Sequence, residues 1–357
     1  MPEAARSSEA TSTGSGSPVP GGKLALSVLD HASIVEGSDP GQALRDAREL
    51  AQNLERWGYT RFWLSEHHNM RAIASAATSV ALGFIAEGTS TIRVGSGGVM
   101  LPNHSPLVIA EQFGTLESLY PGRVDLGLGR APGTDPRTMR ALRRDQSASA
   151  TFPQDVQELQ GFLEPASPGQ PVRAVPGEGT RIPLWILGSS LFGAQLAAHL
   201  GLPYAFASHF APQALYDALA AYRENFSPSE QSSKPYVMAG INVFIAPTDE
   251  EAQRLFTSMQ QAFLGTLRNA RGLLPPPVDP KSLDTLWRPG EKQQLDMMLR
   301  YSFVGSPQTV KPKIDRFVAD TGVDELMISS MIFDKKARMY SYEALADLYD
   351  LESPKGE

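Results

Sequence analysis

The run Thr60-Arg-Phe-Trp-Leu-Ser-Glu-His-His-Asn69 is where this chain could do chemistry, because an apolar, β-forming stretch ends there in Glu66, His67 and His68. Histidine titrates near neutral pH, so an imidazole at a strand end can pass a proton or bind a metal. Successive side chains of an extended chain point to opposite sides, which sends His67 and His68 into different surroundings. That divergence disfavours an ion shared between the two neighbours, and the helical HExxH spacing is absent. A polar loop that merely follows a strand explains these residues equally well, so the rest of the chain has to decide.

Three other segments carry the same kind of signal. Val94-Gly-Ser-Gly-Gly-Val-Met-Leu-Pro102 has glycines where a buried strand prefers branched residues. Gly97 and Gly98 there point to a bulge, or to something flat lying against bare backbone. Gly127-Leu-Gly-Arg-Ala-Pro-Gly133 ends another apolar run and offers Arg130, a guanidinium able to hold a phosphate or a developing anion through paired hydrogen bonds. In Pro183-Leu-Trp-Ile-Leu-Gly-Ser-Ser190, Gly188 permits a tight turn, and Ser189 or Ser190 fits the cap of a helix whose free N–H groups attract phosphate. The denser group Arg137, Arg140, Arg143 and Arg144 reads first as a solvated helix face. His104 and His209 also follow apolar runs and are secondary candidates.

The elements that must position these groups alternate along the chain. Short apolar runs predict strands over Leu24 to Leu29, Thr60 to Leu64, Ile92 to Met100, Val124 to Leu128, Leu184 to Leu187, Tyr204 to Ala207, Val237 to Ile245 and Glu325 to Ile328. Helical spacing predicts helices over Gln42 to Trp57, Ala74 to Glu87, Pro106 to Leu119, Ala194 to Leu200, Pro212 to Phe226 and Pro307 to Thr321. Eight strands with intervening helices predict an α/β fold, a (β/α)8 TIM barrel with insertions, whose chemistry gathers at the carboxyl ends of the strands. A doubly wound sheet is the alternative, weakened because no GxGxxG follows the first strand. Gln146 to Arg181 and Gly272 to Pro289 break the repeat and are expected to form lids or surface excursions.

With 357 residues, 41% of them hydrophobic and 20% charged, the chain has the composition of a globular protein with a large core. A net charge of -7 without a basic stripe argues against nucleic acid or an anionic membrane as main partner. The absence of cysteine excludes disulfides, thiolate nucleophiles, Cys-ligated zinc and iron–sulfur clusters. No apolar run is long enough to span a membrane. Residues 1–22 read as a disordered leader without a signal-peptide pattern, which places the protein in the cytoplasm; residues 23–351 form the barrel domain and 352–357 a tail.

Taken together, Trp63-Leu-Ser-Glu-His-His68, Val94 to Pro102 with Pro106, Pro121-Gly-Arg-Val-Asp-Leu-Gly-Leu-Gly-Arg130 and Ile186-Leu-Gly-Ser-Ser190 resemble flavin-dependent luciferase-like monooxygenases, over nearly the whole chain from Lys23 to about Leu351. Gly188-Ser-Ser190 and Ala205-Phe-Ala-Ser-His-Phe-Ala-Pro212 look closest to single-chain, alkanal monooxygenase-like homologues. The resemblance implies a barrel, usually a homodimer, that binds reduced FMN from a separate reductase or, in some branches, the deazaflavin F420. It implies that His67 serves the flavin–oxygen step, with Glu66 and His68 orienting it. By the same match, Gly97-Gly98 falls where luciferases have a non-prolyl cis peptide beside the flavin ring, Arg130 contacts the phosphate, and Gly188, Ser189 and Ser190 form the phosphate loop. Luciferase α-type chains have glutamate where this chain has Ser189, and a phosphate-binding threonine that aligns with Ala194, so the phosphate contacts differ in detail. The implied reaction is oxidation of a small organic substrate, such as an aldehyde, with reduced FMN and O2. An F420-dependent oxidoreductase and a non-catalytic flavin-binding protein are the alternatives, and retention of His67 and Arg130 argues against the second.

Overall fold

The first helix shows how the sequence builds this structure. Asp39 accepts a hydrogen bond from the Gln42 N–H, Pro40 opens the helix, and Ala43, Ala47, Leu50, Ala51 and Leu54 recur at helical spacing to form its buried stripe. Gly58 then adopts a positive φ that turns the chain into the next strand. The same logic repeats around a computed structural model that describes residues 24–131 and 134–353. The leader expected over residues 1–22 lies outside the described residues, as does most of the tail; Glu352 packs its backbone against Gly58.

The strands are β1 (Ala25–Asp30), β2 (Arg61–Leu64), β3 (Arg93–Met100), β4 (Val124–Gly129), β5 (Leu184–Gly188), β6 (Tyr204–Phe206), β7 (Val237–Ile245), β8 (Ser302–Gly305) and β9 (Glu325–Ser329). The helices used below are α1 (Pro40–Arg56), α2 (Thr78–Glu87), α3 (Pro106–Leu119), α4 (Pro136–Ala141), α5 (Phe152–Leu163), α6 (Leu191–Leu200), α7 (Leu215–Glu224) and α8 (Asp249–Leu267). Strands β1 to β7 pair in order, β7 pairs with β9, and β9 returns to β1, all in parallel. The result is a closed eight-stranded (β/α)8 barrel. Its outer core lies between strands and helices and includes Val28, Phe62, Phe113, Leu126 and Ile186.

Three expectations are corrected. A ninth strand, β8, pairs with Asn242 to Ile245 at the end of β7 and stays outside the ring; its four residues are too short to read as a periodic pattern. The helix expected from Ala74 begins only at Thr78, because Ile73 bridges to Ser33 and Ser75 bonds the carbonyls of His31 and Ser65. The segment from Gln146 to Arg181 is not a loose lid. It contains α5, whose Phe152, Val156, Leu159 and Leu163 join the main core.

Inside the barrel, the period of two along each strand stacks the inward residues in layers. At the amino-terminal end, Arg61 bridges Asp125 at 2.9 Å and Glu325 at 2.8 Å, and Arg93 also binds Asp125. Ser27 and Tyr236 donate to the same glutamate. Above this ionic layer, Trp63, Trp185 and Tyr236 meet edge to face. Gly95 makes room for Trp63, since a Cβ there would sit 2.7 Å from the indole nitrogen. Removing Arg61 would leave two buried carboxylates short of their counter-charge, so Arg61→Ala should lower stability by about 3 kcal/mol or more, seen as a fall in the urea midpoint with little change in slope.

Candidate active site

The carboxyl ends of the strands open into one cavity of about 800 Å³. Continuing the inward phase of β2, Trp63 is followed by Ser65 and then His67, and His67 lines the cavity. Glu66 and His68 fall on the other phase. There Glu66 is buried and accepts hydrogen bonds from His68 Nε2 at 2.8 Å, His104 Nε2 at 2.7 Å and the Met100 N–H at 3.1 Å. Burial raises the Glu66 carboxyl, but these three donors outweigh it and hold the pKa at about 2. Glu66 and His68 thus tie the loop after β2 to the end of β3 through His104, which gives His104 a defined partner. The three side chains place their ligand atoms within 4.8 Å of one another, a spacing a metal could also use. The hydrogen bonds account for the arrangement without one.

Gly97 and Gly98 border the cavity, the bond between them is cis, and the pairing of β3 with β4 slips between Ser96 and Val99. Arg130 stands at the rim with its guanidinium 4.0 Å from the centroid of Phe192, in the first turn of α6. Ser189 and Ser190 share that rim. Ser190 is the cap residue of α6, yet its side chain makes no capping bond, so the first N–H groups of this ten-residue helix are not taken by it. The expected serine cap is therefore positional only. Arg137, Arg140 and Arg143 are exposed and absent from the cavity wall, as a solvated face requires.

His31 is the site residue that sequence reasoning passed over. It follows β1 directly, lines the cavity, and its ring lies 6.1 Å from that of His67. Ser65 Oγ is 2.7 Å from its Nδ1, and Asp30, anchored by Arg338 at 2.7 Å, accepts its backbone N–H. Burial and the nearby His67 lower the His31 pKa to about 4. His209, after β6, is a third histidine in the same wall, lowered to about 3 by burial and by His31 and His67. The signal for His31 was the one used for His67, a histidine just past an apolar run, but β1 ends in Asp-His without a second histidine to draw notice. Much of the remaining wall is apolar and rich in methionine, including Met70, Met238, Met259, Met327 and Met331, while Glu36, Arg71, Gln261, Arg268 and Arg271 also line the cavity. Part of the expected second insertion closes it, since Leu273, Pro275 and Leu286 line the cavity and Leu274 is strapped to Ile34 and Glu36 by backbone bonds of 3.0 and 2.9 Å.

A family model described as luciferase-like monooxygenase matches residues 25–325. The chain is 52% identical to a luciferase-like monooxygenase of Escherichia coli K12 over 91% of its own length and 97% of that relative's. The chain belongs to the luciferase-like monooxygenase family. Among solved structures of this fold, apo-MsnO8 is 37% identical and superposes with a TM-score of 0.82 over 92% of this chain and 99% of that one. The oxygenating constituent of 3,6-diketocamphane monooxygenase from Pseudomonas putida, solved in complex with FMN, shares the fold at 17% identity, with a TM-score of 0.70 over 91% and 97% of the two chains. Among the described residues of this luciferase-like monooxygenase, no helix is long and apolar enough to cross a membrane.

The depressed Glu66 carboxyl has a stability consequence. Its folded pKa of about 2 lies below the ordinary 4.5, so the contribution is complete above about pH 4.5 and is lost as pH falls toward 2. That shift corresponds to about 3 kcal/mol. Urea midpoints of the wild type and Glu66→Gln should therefore differ most at neutral pH and converge as pH drops through this window; a difference independent of pH would contradict the assignment.

Proposed function

We propose that this chain is a flavin-dependent monooxygenase that uses reduced FMN, delivered by a separate reductase, and O2 to oxidise a small, largely apolar molecule such as an aldehyde. One oxygen atom enters the substrate and the other leaves as water. The observation that carries this reading is the convergence of His67, the bare Gly97–Gly98 backbone, Arg130 and the amino end of α6 on one apolar cavity. These residues fit a flavin mononucleotide: a flat face without side chains for the ring, and a rim with a guanidinium and free helix N–H groups for a single phosphate.

When bound, reduced flavin supplies the electrons that activate O2. The protein does the rest. Arg130, Ser189 and Ser190 hold the phosphate at the solvent edge, where its charge is cheapest to keep. The methionine-rich wall and the Leu273 to Leu286 cover exclude water from the reacting atoms. An imidazole nitrogen of His67 holds or passes the proton that oxygen transfer requires, and Ser65 and Asp30 fix the neighbouring His31.

Two variants separate these roles. Arg130→Ala should weaken FMN binding by about 1.5–3 kcal/mol, roughly ten- to a hundredfold, without loss of fold, as measured by equilibrium titration. An unchanged dissociation constant would move the phosphate elsewhere, and tighter binding of F420 than of FMN would overturn the cofactor choice. His67→Ala should retain flavin while turnover falls by about 10²–10⁴-fold, followed in single-turnover reactions with pre-reduced FMN so that flavin delivery does not limit the rate. Full activity in His67→Ala would make the residue structural.

A further inference from the structure

His209 lines this cavity, and its buried ring nitrogen Nδ1 has no hydrogen-bond partner among the described residues. The residue as a whole is 8% exposed. The neighbouring polar groups are paired: His31 with Ser65, and Glu66 with His68 and His104. The backbone nevertheless holds His209 firmly. Asn242 Nδ2 donates to its carbonyl at 2.6 Å, Ser208 Oγ donates to the Gly240 carbonyl at 2.6 Å, and Phe210 packs edge to face on the ring at 4.9 Å. The Nδ1 edge abuts Gly240, where a Cβ would come within 2.2 Å of that nitrogen, so the opposite edge with Nε2 is the one left for the cavity. A side chain other than hydrogen at position 240 would push the ring off this seat.

The unpartnered Nδ1 is shut in against Gly240, so a molecule in the cavity meets the Nε2 edge, and an N–H there gains a hydrogen bond when a ligand oxygen accepts it. Burial keeps the ring neutral, so it presents an N–H donor or a lone pair without a charge, in a wall whose neighbours Met238 and Phe210 are apolar. Such a site suits an uncharged oxygen, because the neutral ring offers a donor without the positive charge that would favour an anion. We infer that His209 is a substrate-orienting residue: its Nε2–H binds the one hydrogen-bond-accepting oxygen of an uncharged, largely apolar substrate and so selects for that atom and sets its place relative to His67. This rests on the proposed monooxygenase function, and its test works on binding alone.

Cyclohexanone and methylenecyclohexane, which differ in a carbonyl against a CH2 terminus, serve as probes. Their dissociation constants are measured by NMR titration, both on the chain loaded with oxidised FMN and on the chain alone, with histidine nitrogens labelled. In the wild type, the ketone should shift the His209 nitrogen signals and the hydrocarbon should not. The ratio of the two constants should move about tenfold toward the hydrocarbon in His209→Leu, as expected for the loss of one hydrogen bond, and stay near the wild-type value in His209→Gln, which keeps a donor. Gly240→Ala should behave like His209→Leu. The thermal midpoint of His209→Leu should be unchanged or raised by about 2–4 °C, because the variant removes an unsatisfied buried group. An equal ratio in wild type and His209→Leu overturns the inference. So does a lowered midpoint with loss of both probes, which makes the ring structural, or a tenfold weaker FMN affinity in His209→Leu, which assigns the ring to the cofactor. Failure of the wild type to bind FMN, with the probe ratios as expected on the chain alone, would sink the cofactor reading and leave His209 as a ligand-binding residue.

Discussion

The arrangement of this barrel depends on Arg61, held between Asp125 and Glu325 at its closed end. Charges taken out of water are expensive, and this set is tolerable because each carboxylate also meets further donors: Arg93 and Trp63 for Asp125, Ser27 and Tyr236 for Glu325. The bonds run from β2 to β4 and β9 across the interior, so they fix which phase of each strand faces inward. Everything above follows at intervals of two residues. Arg61 sets Trp63, Trp63 sets Ser65, and Ser65 sets His67. A slip of one residue in β2 would drive Arg61 out of its carboxylate pair and turn Glu66 and His68 into the cavity in place of His67.

The open end is organised by a second use of buried carboxylates. Glu66 gathers His68, His104 and the Met100 N–H, which joins the loop after β2 to the strand that carries Gly97 and Gly98. Asp30 does the same for His31, taking two backbone N–H groups and Arg338. In both places an acid just before a cavity-facing histidine holds the turn rather than the ring. The acid–histidine order therefore serves position: the carboxylate takes the outward phase or the backbone, and the imidazole is left to face the cavity.

The sequence carried most of the barrel and part of the site. Strands and amphipathic helices were legible where burial imposes a period, as in Ala43, Ala47, Leu50, Ala51 and Leu54 of α1. The divergence of His67 from His68 was legible too, because it follows from strand geometry alone. β8 was not, since its four residues pair only with the far end of β7 and no local pattern marks that pairing. Helix α5 was masked by the proline and glycine around it, although Phe152, Val156, Leu159 and Leu163 have helical spacing. The grouping of Glu66 with His104 joins residues 38 apart in the chain. No single segment announces such a pair, and neither does the meeting of His31, His67 and His209, which come from three different strand ends.

The distribution of charge around the cavity then separates two tasks. Cationic and helix-terminal groups, Arg130 and the start of α6, stand at the rim, where water and counter-ions limit the cost of an anion. The interior keeps imidazoles that burial holds neutral, with pKa values lowered to about 4 for His31 and about 3 for His209. A charged group carried in beside these neutral imidazoles would lose hydration without gaining a counter-charge from them, whereas an uncharged molecule would meet the apolar stretches of the wall. In the proposed function, an occupant with one anionic end and one apolar, aromatic end would keep its charge at the rim near Arg130 and its ring beside Gly97 and Gly98. Such an alignment would ask nothing of the histidines and would leave them to act on a small neutral molecule in the remaining space.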